Sequence, residues 1–331
     1  MAAPTLDVVG IGNAIVDVLA RAEDRLIAEQ GLVKGTMALV DSSRAESLYK
    51  LMGRSQERSG GSAANTIAGL ASLGGSAAFI GKVAADPLGQ IFAYDLRSLG
   101  VRYETRPLKG GPSTGRCLIL VTPDAQRTMN TFLGASVEFE PNDIDRSLIE
   151  AAQVTYLEGY LFDRDSAKAA FREAAGIAHR AGRKLALSLS DPFCVDRHRA
   201  DFRALVREHV DILFANEVEI GSLYETQSFD RAAAQVRGEC EIAVLTRSAK
   251  GSVVVTNDET VAVPAAPVTQ VVDSTGAGDL YASGFLHGLT RGRPLQQCGR
   301  LGSLCAAEVI GHFGARPETS LEQLARRERL L

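Results

Sequence analysis

The stretch DSTGAGD at 273–279 sets two glycines around one alanine and follows them at once with an aspartate. Just downstream, Leu280, Ala282, Phe285, Leu286 and Leu289 recur at helical spacing, so Gly276, Ala277 and Gly278 fall where a helix begins. Helix N-termini present unpaired N–H groups and roughly half a positive charge, and glycine lets an anion approach the backbone closely. The chemistry on offer is an anion hole with a carboxylate beside it. A plain glycine turn capped by Asp279 would use the same residues. Val271 and Val272 read as the end of a strand, with the turn opening at Asp273.

A second glycine pair, Gly60 and Gly61 in RSGGSAANTIAGLASLG (58–74), also precedes a helix, expected to start near Ser62 with Asn65 in its first turn. Asn13 and Asp17 follow the first strand, where an amide and a carboxylate could hold two hydroxyls of a polyol; turn chemistry would use them too. Two common nucleotide motifs fail. Gly10 and Gly12 follow a strand, but Ile15 stands where a dinucleotide fingerprint needs its third glycine. GSAAFIGKV has one residue too many between Gly75 and Gly81, and Val83 follows Lys82, so it is no phosphate loop of the G-x-x-x-x-G-K-[ST] type.

Something must bring these scattered groups together. Apolar runs at 6–12, 77–83, 154–160, 184–190, 211–217, 241–247 and 251–257 read as strands, and amphipathic stretches at 63–74, 88–100, 165–182 and 229–238 read as helices between them. Strands apolar throughout, alternating with helices, predict an α/β fold whose parallel sheet is covered on both faces and binds ligands at its carboxyl ends. Residues 101–134 break the rhythm with short β segments joined by Gly, Pro and Asp turns. With 34–41 they predict a small β appendage over the sheet edge.

The 331 residues suit one large domain carrying such an appendage. Lys plus Arg is 36 against 40 for Asp plus Glu, a net charge of −4, which argues against a nucleic-acid partner. Five cysteines without a C-x-x-C pair point to reduced thiols and a cytoplasmic location. MAAPTLDVVGIGNAIVDV has no basic region before its apolar run and carries two aspartates within it, so neither a signal peptide nor a membrane span is expected.

Taken together, G-x-G-N-x-x-x-D at 10–17, GGSAAN at 60–65, ANEVE at 215–219 and DSTGAGD at 273–279 stand in the order and approximate spacing of the ribokinase-like superfamily of sugar and nucleoside kinases. The chain resembles that superfamily from Val8 to about Pro317. The resemblance implies a single kinase domain over 1–331, a three-layer α/β/α fold with a mostly parallel central sheet, and a β-sheet lid formed by 14–22, 34–41 and 101–134. It implies that Asp279 accepts the proton of an attacking hydroxyl, while Gly276, Ala277 and Gly278 donate N–H groups to the charge on a phosphoryl group moved from ATP. Asn216 and Glu219 match the motif that organises a magnesium ion through water, and Thr246, Gly251 and Gly278 match positions near the nucleotide. Asp273 and carbonyls near Ala315 resemble the monovalent-cation site, for potassium, of several members.

For the acceptor, the resemblance is closest to the adenosine kinases. Asn13 and Asp17 lie four apart, as in those enzymes, whereas ribokinase has the pair two apart. STGRCLILVTPDAQRTMNTFLGAS is similar to the adenosine-kinase lid, which implies Cys117 near the base and Arg127 near the transferred phosphate. Tyr160 in YLEGYLF matches an aromatic that stacks on the purine, with Asn13, Asp17, Gly60, Gly61 and Asn65 at the sugar. A sugar kinase for fructose, ribose or ketodeoxygluconate remains the alternative, because Cys117 and Tyr160 also suit core positions and fructokinases carry a lid arginine. A non-catalytic binding protein is disfavoured by the intact Asp279. The expected assembly is a monomer or homodimer.

Overall fold

The computed structural model describes residues 3–124 and 126–331; positions 1 and 2, in the N-terminal stretch read for a leader, and 125, in the expected lid, lie outside it. In chain order the strands are β1 (Leu6–Ile11), β2 (Ile15–Arg21), β3 (Met37–Leu39), β4 (Ser55–Gly60), β5 (Ala77–Ile80), β6 (Arg102–Tyr103), β7 (Gly115–Val121), β8 (Arg127–Phe132), β9 (Ala152–Glu158), β10 (Lys184–Ser188), β11 (Ile212–Asn216), β12 (Ile242–Thr246), β13 (Ser252–Thr256) and β14 (Thr260–Val263). The helices are α1 (Asp24–Glu29), α2 (Ser42–Leu51), α3 (Ser62–Ser72), α4 (Pro87–Ser98), α5 (Arg146–Ala151), α6 (Asp165–Arg180), α7 (Pro192–His209), α8 (Glu217–Leu223), α9 (Phe229–Val236), α10 (Ala277–Leu289), α11 (Leu295–Val309) and α12 (Leu321–Arg327).

Nine strands form one sheet in the order β14-β13-β12-β11-β10-β9-β1-β5-β6, parallel from β12 to β6 with β13 and β14 antiparallel. Alternate side chains of β1 supply both layers: Val9 and Ile11 pack toward α6 and α7, Val8 toward α3, α4 and α10. Apolar residues on both faces of these strands are what a sheet between two helical layers needs. The result is the expected three-layer α/β/α architecture with a second, smaller sheet. On one face α3 and α10 lie side by side, and Gly69 permits the approach, since a Cβ there would fall 2.5 Å from Leu280 Cδ1 and from Ser283 Oγ.

The second sheet has the order β3-β8-β7-β2-β4. Its composition corrects the sequence reading at three points. Arg102 and Tyr103 pair with β5 at the rim of the large sheet, so they do not belong to the small one. Of 34–41 only β3 is a strand. The polar segment SQERSG forms β4 along β2, although it lacks an apolar alternation; tertiary pairing overrides local pattern there. Val271 and Val272 also depart from expectation: they lie in irregular chain, held by the Val272 N–H donating to Ile310 O at 2.8 Å. Among the described residues no helix is long and apolar enough to cross a membrane.

Candidate active site

A cavity of about 390 Å³ opens between the small sheet and the carboxyl ends of β10, β11 and β12. Of the residues singled out in the sequence, Asp17, Gly61, Asn65, Cys117, Tyr160, Asn216, Glu219, Thr246, Gly276, Ala277, Gly278, Asp279 and Ala315 line it. Asn13, Gly60, Arg127, Gly251 and Asp273 are not among its lining residues.

The two glycine motifs meet at Asp279. Gly276 is the N-cap of α10 in the left-handed region, φ 78°, so Asp279 is not the cap. A Cβ on Gly276 would fall 2.7 Å from the Ala315 Cβ, whereas one on Gly278 would meet nothing within 4 Å. The first glycine is needed by the protein; the second leaves room that the protein does not fill. The Asp279 carboxylate sits in the first helical turn and accepts from Ser62 Oγ at 2.6 Å and Asn65 Nδ2 at 3.0 Å. Burial pushes its pKa up, against the pull of Ser62, Asn65 and Arg316.

Asp17 projects from β2, and Gly60 makes space for it, because a Cβ there would fall 2.5 Å from the Asp17 carboxyl. Gly61 has φ 100° and a Cβ would lie 2.1 Å from Asn13 O, which excludes any other residue without rebuilding the turn. Burial raises the Asp17 pKa to about 6, opposed by Arg316 and Arg127. Asn13 does not reach the cavity: its Nδ2 donates to Glu158 Oε1 at 2.8 Å, and the other Glu158 oxygen accepts from Ala63 N at 2.8 Å. Glu158, pushed up to about 7 by burial, was not singled out in the sequence. Its one signal there is a glutamate closing an apolar strand. Asn65 Oδ1 is buried without a partner, an acceptor left for a ligand's hydroxyl.

On the opposite side Asn216 caps α8. Its Oδ1 accepts from the N–H groups of Val218 and Glu219, and Glu219 reaches back to Asn216 N at 2.8 Å and Nδ2 at 2.6 Å. Burial raises Glu219 to about 7, with Asp191 and Asp279 adding to it. Buried acids that repel one another suit a divalent cation nearby. Among the described residues no three His, Cys, Asp or Glu side chains form a cage.

Three expected residues have partners or constraints within the protein. Gly251 has φ 82°, and a Cβ would fall 2.1 Å from Val263 O, so β14 explains this glycine. Arg127 forms a buried ion pair with Asp273 and donates to Thr275 Oγ1 at 3.2 Å. Asp273 also accepts from Thr275 N at 3.0 Å, Thr275 Oγ1 at 2.7 Å and Gly314 N at 3.0 Å. The Asp273 carboxylate thus has Arg127 as its cation and protein donors on both oxygens. The apolar part of the lining comes from Tyr160, Ile15, Ile119, Met129 and Phe214, of which only Tyr160 stood out in the sequence.

A model of the pfkB family of carbohydrate kinases matches residues 31–322. The solved structure of adenosine kinase from Sinorhizobium meliloti is 53% identical, with a TM-score of 0.90 over 98% of this chain and 99% of that one. A probable sugar kinase from Rhizobium etli is 48% identical, with a TM-score of 0.92 over 99% and 100% of the two chains. The 5-dehydro-2-deoxygluconokinase of Geobacillus kaustophilus is 27% identical over 76% of this chain and 78% of its own.

Proposed function

This chain belongs to the pfkB family of carbohydrate kinases and is an ATP-dependent kinase, and we propose that its acceptor is a nucleoside, adenosine or a close analogue, phosphorylated at the hydroxymethyl group. One observation carries the choice: the cavity lining combines polar Asp17, Asn65 and Asp279 with apolar Tyr160, Ile119 and Met129. A nucleoside has a polyol and a flat apolar base to match them; a free sugar has only the first.

In this reading Asp17 and Asn65 hold the ribose hydroxyls and so orient the attacking oxygen toward Asp279, which takes its proton. Phosphoryl transfer through a loose transition state needs positioning and neutralised charge more than early deprotonation, so an aspartate suffices. The N–H groups opening α10 face the transferred phosphoryl, with space beside Gly278 to admit it. Magnesium, when bound, neutralises phosphate charge; Glu219 and Asn216 would hold it through water. The small sheet covers the acceptor and excludes water.

The test is ADP production by the purified chain over adenosine, ribose, fructose, ketodeoxygluconate and 5-dehydro-2-deoxygluconate. Adenosine is expected to be the preferred acceptor. Losing a stacked ring costs about 1 to 3 kcal/mol, so Tyr160→Ala is expected to weaken adenosine about tenfold to a hundredfold and to spare free ribose. Efficient phosphorylation of a sugar with adenosine ignored would transfer the assignment to the second reading, a sugar kinase, which two of the named relatives favour.

A further inference from the structure

Arg316 follows Ala315, whose atoms press against Gly276 at the start of α10. Its guanidinium reaches from there to the start of α3. Nη1 donates to Ala64 O at 2.9 Å, Nε and Nη2 to Ser59 O at 3.2 and 3.0 Å, and Nη2 to Ser59 Oγ at 2.9 Å. All of these acceptors are uncharged. The turn between the two anchor points carries Gly60, which makes room for Asp17, and Ser62, which donates to Asp279; Asn65 just beyond donates to Asp279 as well. Ser59 is fastened from the far side too, its N–H donating to Asp95 Oδ2 at 2.9 Å and its hydroxyl to the same oxygen. The Asp17 and Asp279 carboxylates therefore both adjoin a segment that Arg316 holds.

We propose that Arg316 is a positioning residue for phosphoryl transfer: its fork fixes the 59–65 turn, and its charge acts across that turn on Asp17 and Asp279. The inference rests on the kinase reading above and is the same for a nucleoside or a sugar acceptor. The charged and titratable groups facing Asp279 are Asp17 from β2, Tyr156 and Glu158 from β9, Tyr160, Glu219 from α8 and Arg316. Arg316 alone of these favours the ionised form. Asp17 is faced by Asp279, by Cys117 and by the cations Arg127 and Arg316. Burial drives both acids toward their neutral forms and Arg316 opposes it, so removing the charge means the carboxylates ionise only at higher pH.

The experiment compares kcat/KM between pH 5 and 9 for wild type, Arg316→Lys and Arg316→Met, using whichever acceptor wild type turns over. The Met variant is expected to move the acid limb upward by about one pH unit. The Lys variant keeps the charge but cannot span both carbonyls, so its limb should stay in place while its plateau falls severalfold. An unmoved limb in Met, or an equal shift in Lys, overturns the proposal. If circular dichroism shows Met unfolded, Lys decides alone: a displaced limb overturns, a lowered plateau with the wild-type limb supports. Wild-type protein inactive on every alcohol would instead sink the kinase reading, an outcome visible before any variant is compared.

Discussion

Two influences compete at Asp279. A carboxylate in the first turn of a helix is favoured in its ionised form by the N-terminal partial charge, yet burial is the larger effect and makes this one a better proton acceptor than an exposed aspartate. Asp279→Asn is nearly isosteric and keeps an oxygen for Ser62. It is expected to leave the melting temperature and nucleotide affinity near wild type while lowering kcat by about 10² to 10⁴, the range for a lost general base. Single-turnover rates would show it, and wild-type turnover in the folded variant would remove Asp279 from the mechanism. Its glycines were legible because their reason is local, a helix start that must admit an anion. Ser62, Glu158 and Arg316 were not legible, because their partners lie 217, 95 and 252 residues away in the chain. Asn13 was legible as a polar residue near the site, but its partner Glu158 was not, because that pairing spans 145 residues.

At the level of elements, α3 and α10 each begin with a glycine pair, and the glycines of each pair serve different ends. Gly61 has φ 100° and its missing Cβ would strike Asn13 O; Gly278 has neither constraint. Gly61→Ala is therefore expected to destabilise the fold by at least about 1 to 3 kcal/mol, the cost of holding a side chain in a disfavoured backbone region. Gly278→Val is expected to keep its melting temperature within a few degrees and to lose turnover, at least about tenfold, more than it loses acceptor affinity, because its methyls enter space meant for the phosphoryl group. Thermal melts and steady-state kinetics on the two proteins separate the cases. Equal loss of affinity and turnover in a folded Gly278→Val would argue against an anion hole there. Elements whose apolar pattern is self-contained, such as β10, β12 and α6, could be read from sequence. By contrast β4 is strand only because β2 lies beside it, and β6 joins the large sheet through a two-residue pairing no periodicity can reveal.

Across the whole molecule, the large and small sheets close on a set of buried acids. Asp17 is raised to about 6, Glu158 and Glu219 to about 7, and Asp279 is raised as well, all chiefly by burial. A carboxyl whose folded pKa lies above its unfolded value favours the fold in its neutral form. That contribution is fully present below the unfolded pKa near 4 and is lost as pH rises through about 6 to 7. Exposed acids held low by hydrogen bonds, such as Asp124 at about 2 and Asp41, act in the opposite sense and withdraw their support only as pH falls toward their own values. The free protein should accordingly be most stable near pH 5 and weaken toward pH 8, unlike a protein limited by surface ion pairs. One pKa unit is about 1.4 kcal/mol, and about 1 kcal/mol moves the melting temperature of a large domain by roughly 2 °C, so a fall of several degrees between pH 5.5 and 7.5 is expected. Glu158→Gln removes one of the raised acids and should flatten that slope. Magnesium with ATP should flatten it too, because a cation beside Glu219 stabilises the ionised form that burial opposes. Scanning fluorimetry across the pH range tests both. A melting temperature that is level or rising from pH 5.5 to 7.5 in the free protein would mean that these carboxylates reach solvent or a counter-charge, and that burial does not hold them in their neutral forms.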